Sequence, residues 1–173
     1  MNEKLFFVLV LVCIFTHIVR LVYEVLKHKT LLNPNKLTFV IVFINMATLW
    51  TSWFALCGLD GYLINLPDVI RYLGFVLVVI GVFAFLIALF TIKTLESYEG
   101  DLITRGIYSK IRHPMYLGFI LWLIGLPLFY GALFSFGLSL LFISNVLFWR
   151  YLEESELVKR YPSYTEYKKS TLF

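Results

Sequence analysis

Charged residues and cysteines are scarce in this chain of 173 residues. Only 15% of the residues are Asp, Glu, Lys or Arg, and 60% are hydrophobic, whereas a soluble domain has about 25% charged residues. A soluble domain of this size cannot bury so much apolar surface, so the composition predicts a bilayer protein. The two cysteines, Cys13 and Cys57, lie inside apolar runs without the spacing of metal ligands. We therefore expect no metal site.

Nucleic acid is also excluded as a partner. The basic and aromatic residues outside the apolar runs do not form the interleaved pattern that is typical of single-strand binders. The net charge of +4 instead favours contact with the anionic head groups of a membrane. The start of the chain has one lysine before its apolar run and no small-residue cleavage site after it, so we predict a retained span and not a signal peptide.

Apolar runs of membrane-spanning length recur along the chain. The last run covers 36 residues, which is too long for one span, and Gly125, Pro127 and Gly131 interrupt it. Two helices folded as a hairpin fit this length better than one tilted helix. The sequence thus predicts an all-α polytopic membrane protein with five transmembrane helices, the last two forming a hairpin. The four runs are Leu5 to Leu26, Leu37 to Leu59, Tyr72 to Ile92 and Pro114 to Trp149.

Lysine and arginine are distributed unevenly between the two sides of this arrangement. With five spans, one side receives the segments 27–36, 93–113 and 150–173, which hold twelve of the fifteen Lys and Arg residues. The other side receives Lys4 and Arg71, and Arg20 lies within the first span. Because cytoplasmic loops carry the excess of positive charge, we predict an amino terminus outside and a cytoplasmic 93–113 segment and tail.

Three polar side chains interrupt the first span, at His17, Arg20 and Glu24. Arg20 and Glu24 are four residues apart and can pair on one helix face. Such groups usually point into the bundle or reach toward the interface. We favour a structural or interfacial role, with the lining of a polar cavity as the alternative. Gly118 and Gly125, seven residues apart, are expected to pack the hairpin.

The polar segment 93–113 ends in Arg112-His113-Pro114. The residue before a proline avoids the helical region, and proline suits the first helical turn, so we predict His113 as the cap and Pro114 as the first helical residue. The free N–H groups of Met115 and Tyr116 would form an anion site. A hairpin would bring Glu153 and Glu154 to the same side. A ligand with both a carboxylate and an amine, such as the methionine part of S-adenosylmethionine, would fit there. A solvated helix end with surface ion pairs is the plainer alternative.

The C-terminal half resembles a known family in several motifs. These are Leu102-Ile103-Thr104-Arg105-Gly106-Ile107-Tyr108, Arg112-His113-Pro114-Met115-Tyr116-Leu117-Gly118, Arg150 with Glu153-Glu154, and Tyr164-x-x-Tyr167. Residues 70–170 are similar to the isoprenylcysteine carboxyl methyltransferase family of membrane enzymes and, more distantly, to the phospholipid N-methyltransferases. The N-terminal spans match only in hydropathy.

The resemblance implies a single membrane domain over 1–173, in which N-terminal spans (1–69) precede a methyltransferase core with a cytoplasmic tail (70–173). It implies a cytoplasmic pocket for S-adenosylmethionine and a lipidic acceptor. Arg150 would meet the acceptor carboxylate, and the i,i+4 spacing from Arg150 favours Glu154 over Glu153 as the cofactor glutamate, so Arg150 and Glu154 are the predicted catalytic residues. The predicted cofactor-binding residues are Gly100, Asp101, Leu102, Ile103, Tyr108, His113, Pro114, Met115, Tyr116, Glu153 and Glu154.

The sequence leaves open which acceptor is methylated and whether the protein is a methyltransferase, a reductase or a non-catalytic protein. A carboxylate is already ionised at pH 7 and needs only a cation to place it, whereas an amine must lose a proton. Arg150 therefore favours carboxyl O-methylation of a prenylcysteine-like substrate, with phospholipid amine N-methylation as the alternative. Membrane sterol reductases also resemble this C-terminal fold and use NADPH, although they are longer. A non-catalytic membrane protein that keeps the fold is the third possibility.

Overall fold

The computed structural model describes residues 3–92 and 101–173. These residues form six α-helices and a short 3₁₀ helix, and no strand longer than an isolated bridge occurs among them. The helices are α1 (Glu3–His28), α2 (Lys36–Gly58), α3 (Asp68–Ile92), α4 (Pro114–Tyr130), α5 (Leu133–Arg160) and α6 (Tyr164–Ser170), and the 3₁₀ helix is Gly106–Ser109. The all-α prediction is confirmed for the described part of the chain.

Four of the helices are long and apolar enough to cross a bilayer. They are α1, α2, α3 and α5, whereas α4 has 17 residues and is shorter. Their outward faces carry large apolar side chains, for example Phe83 at 60% and Phe90 at 73% exposure on α3. Such a surface requires lipid as its solvent. The chain is therefore an integral membrane protein.

The first three predicted runs begin and end within a few residues of a helix, the fourth begins at the start of α4, and local signals explain several boundaries. The side chain of Asn35 accepts from the N–H groups of Leu37 and Thr38 and so caps α2. The long apolar run breaks at Gly131, which has a left-handed φ of 70° at the C-cap of α4. Pro127 lies within α4 and does not end it. Helix α5 continues beyond the apolar run as far as Arg160.

A crossing of α3 and α4 on paired glycines forms the closest helix packing. A Cβ atom at Gly81 would lie 2.8 Å from the carbonyl oxygen of Gly118, and one at Gly74 would lie 2.6 Å from that of Gly125. Only glycine permits this backbone approach. The expectation that Gly118 and Gly125 pack the hairpin with α5 was wrong, because their contact is with α3.

The start of α5 is capped from a distant loop. Asp60 is buried, and its Oδ2 accepts hydrogen bonds from the backbone N–H and the hydroxyl of Ser135, both at 2.7 Å. Ser135 is the third residue of α5, whose own N-cap residue, Ala132, provides no side-chain cap. Asp60 thus supplies the acceptor that a local Ser or Asp usually provides, and it fixes the end of α2 against α5.

Aromatic residues from four helices fill the core between α1, α2, α4 and α5. Trp53, Trp122, Phe142 and Trp149 are each buried to 4% exposure or less. Beneath this core, the start of α4, the end of α5 and the helix α6 lie together, since His113, Glu154 and Tyr164 are in mutual contact. The core therefore supports a polar cluster at one end of the bundle.

Candidate functional site

His113 and Pro114 start α4 as the sequence predicts. His113 is the N-cap residue, with φ −123° and ψ 62°, and Pro114 is the first helical residue. The side chain of His113 makes no capping hydrogen bond, so it leaves the N–H groups of Met115 and Tyr116 without a side-chain acceptor. Free N–H groups at a helix start attract anions, and a carboxylate suits them well.

Glu154 lies at the centre of a group of basic side chains. Its Oε1 is 3.3 Å from Nε of Arg112 and 3.3 Å from Nε2 of His113, and its Oε2 accepts from Nζ of Lys168 at 2.5 Å. Nε of Arg150 lies 3.9 Å from Oε1. The Glu154 side chain is only 9% exposed. These cations favour its ionised form in a poorly hydrated place.

The two neighbouring glutamates differ in their surroundings. The side chain of Glu153 is 46% exposed, and its Oε2 lies 3.7 Å from Nδ1 of His113. The Tyr116 ring stacks near His113 with centroids 5.6 Å apart. Glu154 points into the cluster and Glu153 lies at its edge. Three basic side chains thus lie within 3.3 Å of Glu154, and its assignment as the cofactor glutamate stays a prediction.

Two tyrosines of the tail fasten α6 to the segment before α4. The hydroxyl of Tyr164 lies 3.3 Å from Nε2 of His113, and the hydroxyl of Tyr167 donates to the carbonyl of Tyr108 at 2.6 Å. Burial raises the pKa values of Tyr108 and Tyr164 well above the usual range. The next cause is the carboxylate of Glu153 for Tyr108, and the carboxylates of Glu154 and then Glu153 for Tyr164. These phenols therefore stay protonated and able to donate hydrogen bonds.

Arg112 holds the end of the chain against the cluster. Its Nη1 donates to the carbonyls of Lys168 and Thr171, at 2.9 and 2.7 Å. Its backbone N–H donates to Leu172 at 3.0 Å, within a parallel bridge between Ile111 and Leu172. Arg112 thus joins the start of α4, the carboxylate of Glu154 and the last residues of the tail.

Arg150 lies at the rim of the cluster on α5. Its guanidinium carbon is 4.5 Å from the centroid of the Phe173 ring, which is a cation–π contact. The side chain remains 26% exposed. Arg150 therefore has room for an additional anionic partner beside Glu154.

Not all the predicted site residues come together. The contacts above join Tyr108, His113, Tyr116 and the glutamate pair with Arg150, and Pro114 and Met115 follow His113 in the first turn of α4. Asp101 is exposed, and Leu102 and Ile103 are half-buried in the segment before the 3₁₀ helix. The contacts described above do not involve these three residues. Gly100 lies outside the described residues.

Sequence reasoning did not assign roles to Arg112, Lys168, Tyr164 and Tyr167. The Tyr164-x-x-Tyr167 motif was visible, but its partners are more than fifty residues away in the chain. For the two tyrosines, the signal in the sequence is their i,i+3 spacing, which puts both rings on one face of α6.

The cluster offers complementary sites for a zwitterion. Among residues 3–92 and 101–173, no side chain caps the N–H groups at the start of α4, and such groups suit a carboxylate. Glu154 presents a carboxylate that already accepts an ammonium, that of Lys168, whose side chain is 48% exposed. An amino acid group, with its own carboxylate and ammonium, matches this pair. The residues present thus fit the methionine part of S-adenosylmethionine in their chemistry.

Comparison with known proteins supports the resemblance of the chain to membrane methyltransferases. A family model described as phospholipid methyltransferase matches residues 69–163, a little over half of the chain. The match contains the start of α4, Arg150 and both glutamates, and it confirms the resemblance to the membrane methyltransferases. No curated protein and no solved structure matches at a significant level. The chain belongs to the phospholipid methyltransferase family.

Proposed function

We propose that the protein is a membrane methyltransferase that transfers a methyl group from S-adenosylmethionine to a lipidic acceptor. The observation that carries the proposal is the contact of Glu154 with His113, which brings a buried carboxylate to the uncapped start of α4. Methyltransferases of this family generally use S-adenosylmethionine. When bound, it supplies a methyl group on a positively charged sulfur, which any well-aligned nucleophile can attack without a metal or a covalent enzyme intermediate.

The residues proposed to hold the cofactor are the N–H groups of Met115 and Tyr116 for its carboxylate and Glu154 for its ammonium. Glu153, Tyr108, His113 and Pro114 would shape the site. Asp101, Leu102 and Ile103, with Gly100, are kept in the proposal on the resemblance alone. Lys168 occupies the ammonium position on Glu154 in this structure, and its half-exposed side chain can leave for water when a ligand ammonium takes its place.

For the acceptor, we propose a carboxylate, as in a prenylcysteine, placed by Arg150. The partial exposure of Arg150 supports this role, because a forked guanidinium suits a carboxylate. Transfer forms an oxygen–carbon bond while the carbon–sulfur bond breaks and its electron pair passes to sulfur. No general base is required. The chain's own contribution is to orient the carboxylate and exclude water.

Phospholipid amine N-methylation is the second candidate, and the description of the matching family favours it. An amine nucleophile must lose its proton before it attacks. Glu153, whose side chain is 46% exposed at the edge of the cluster, is a carboxylate that could attract an ammonium head group. The two candidates differ in the atom that carries the methyl group in the product.

The membrane arrangement is part of the proposal. We propose that α4 is a fifth span, and that it forms a hairpin with α5 so that both ends meet at the cofactor pocket. The connection of α4 and α5 at Gly131–Ala132 supports this. The positive charge of the tail and of the segment before α4 supports a cytoplasmic pocket and an amino terminus outside. The chain would form one domain, with 1–69 preceding the methyltransferase core.

The test is incubation of the purified protein with methyl-labelled S-adenosylmethionine and a panel of lipids. The panel contains a farnesylated N-acetylcysteine, phosphatidylethanolamine and a total membrane lipid extract. We expect label in the lipid phase, as a base-labile methyl ester for a carboxylate acceptor and as a base-stable methylamine for an amine. Absence of label from every lipid, with intact cofactor binding, would contradict a lipidic acceptor.

A further inference from the structure

A second polar cluster lies inside the bundle on α1, a helix outside the family match. Its members are His17, Arg20 and Glu24, with exposures of 4% for His17, 11% for the Arg20 side chain and 7% for that of Glu24. Arg20 pairs with Glu24, and Nζ of Lys27 lies 3.5 Å from the other oxygen of Glu24. Ionisable groups buried in a spanning helix are costly and usually mark a functional path.

Several buried polar atoms without hydrogen bonds meet in this cluster. Within the described residues, Nε of Arg20, Nε2 of His17 and the indole N–H of Trp149 have no partner. The guanidinium of Arg20 lies 5.6 Å from the Trp149 ring, and the His17 ring lies 6.2 Å from it. The other orphan atoms are Glu24 Oε1, which meets Arg20 as an ion pair, and the indole nitrogens of Trp53 and Trp122 in the aromatic core.

The unbonded groups are mainly donors. The Arg20 Nε and the Trp149 indole nitrogen each carry one hydrogen and can only donate. Nδ1 of His17 lies 2.9 Å from the carbonyl of Cys13 and so holds the ring proton, which leaves Nε2 as an acceptor. Glu24 pairs with Arg20, and Lys27, whose side chain is 24% exposed, adds a second cation at the edge of the cluster. A buried guanidinium with an unbonded N–H, beside an unbonded indole N–H, is complementary to an oxyanion.

The cluster is next to the proposed cofactor site. The guanidinium of Arg20 lies 5.6 Å from the Trp149 ring, and the next residue of α5 is Arg150, whose Nε lies 3.9 Å from Oε1 of Glu154. Helix α1 packs mainly on α2 and α5, and this packing places Arg20 beside the end of α5 that carries Arg150 and Glu154.

We propose that Arg20, with the indole of Trp149, binds the anionic oxygen of the lipid acceptor and determines acceptor specificity. The proposal rests on the proposed function and adds to it a residue outside the family motifs. The oxyanion has two possible sources, the carboxylate of a prenylcysteine and the phosphate of a phospholipid. Arg150, which Glu154 and Phe173 already contact, would meet the same anionic group from the rim of the site, and Arg20 would meet it from inside the bundle.

The test compares charged and neutral probes on the full chain in uncharged detergent. The first pair is a farnesylated N-acetylcysteine and its methyl ester, and the second is short-chain phosphatidic acid and the matching diacylglycerol. Binding is followed by tryptophan fluorescence, to which Trp149 contributes. We expect the wild-type protein to bind one charged probe at least about 10-fold more tightly than its neutral counterpart. The pair that shows the preference identifies the source of the oxyanion.

The variants are Arg20→Gln, Arg20→Lys and a control, Arg71→Gln, whose Nε donates to the Phe129 carbonyl at the opposite end of α4. We expect Arg20→Gln to abolish the preference for the charged probe, Arg20→Lys to keep part of it and Arg71→Gln to keep it fully. Affinity for S-adenosylhomocysteine should stay within about twofold in all of them. If Arg20→Gln does not fold, the double variant Arg20→Gln/Glu24→Gln is used in its place, because it removes both charges of the ion pair and leaves no unpaired buried carboxylate.

Two results would overturn the proposal. One is a preference that survives in Arg20→Gln, or that only Arg150→Gln abolishes. The other is an equal loss of S-adenosylhomocysteine and probe affinity in Arg20→Gln, which would make Arg20 a structural residue. Failure of the proposed function has a different signature, because the wild-type protein would then bind no S-adenosylhomocysteine whatever its preference between probes.

Discussion

Replacement of Glu154 by glutamine tests the cofactor site in one step. The amide keeps the size of the side chain and one acceptor oxygen, but it loses the charge that an ammonium requires. A hydrogen bond to a charged group contributes about 1.5–3 kcal/mol, and the 9% exposure of Glu154 leaves little water to compensate. We therefore expect Glu154→Gln to weaken S-adenosylhomocysteine binding about 10- to 150-fold, as measured by calorimetry in detergent.

The same substitution should cost stability. Arg112 loses its ionic partner but keeps the carbonyls of Lys168 and Thr171, so we expect a loss of about 1–3 kcal/mol and a folded protein. A lower melting temperature with a cooperative transition would show this. Binding must be measured well below that temperature, so that the loss of affinity reports on the site.

Two neighbouring glutamates on α5 provide matched controls. Glu156 is exposed, and Glu156→Gln makes the same change of charge without touching the cluster, so we expect wild-type affinity. Glu153 is 46% exposed and 3.7 Å from His113, so Glu153→Gln should weaken binding by about threefold or less. Wild-type affinity in Glu154→Gln, or an equal loss in Glu153→Gln, would refute the assignment of Glu154.

Three further substitutions test the acceptor site and the fold. Arg150→Ala should lower turnover about 10-fold or more while cofactor affinity stays within about threefold, because Arg150 is proposed to place the acceptor; equal losses in calorimetry and turnover would move Arg150 into the cofactor site. Asp60→Ala should destabilise the protein by about 2–4 kcal/mol, since it leaves the N–H and hydroxyl of Ser135 without their acceptor; Asp60→Asn should lose less in thermal unfolding, and equal losses would show that the cap does not act through its oxygen. Gly118→Ala should destabilise by about 1–3 kcal/mol, because its Cβ would lie 2.6 Å from the Gly81 carbonyl oxygen, whereas Gly137→Ala on α5 has open space and should be neutral or stabilising; similar melting temperatures for the two would contradict the close crossing.

The sequence predicted those features that depend on neighbours in the chain. Hydropathy placed the apolar helices, and the His113-Pro114 dipeptide placed the start of α4, because proline restricts its own backbone and that of the residue before it. The i,i+4 spacing from Arg150 favours Glu154 as the cofactor glutamate, which stays a prediction, and the structure shows Glu154 buried in the cluster. These signals act within one or two helical turns.

The sequence did not predict contacts between distant segments. Gly118 was expected to pack within the hairpin, but its partner is Gly81 on α3. A glycine in the sequence does not indicate which helix it will contact. Asp60 follows an apolar run in the sequence, and nothing near it in the chain indicates its partner, Ser135 in α5. Arg20 and Trp149 come together only when α1 packs on α5. Such pairings follow from the tertiary arrangement and leave no local pattern.

The central claim is tested most directly by equilibrium binding of two ligands, S-adenosylhomocysteine and NADPH, to the wild-type protein in detergent. The cluster of Glu154 with the uncapped start of α4 predicts stoichiometric binding of S-adenosylhomocysteine and no binding of NADPH. Binding of NADPH in its place would identify a reductase of related fold. Binding of neither ligand would contradict a methyl-donor site in this protein.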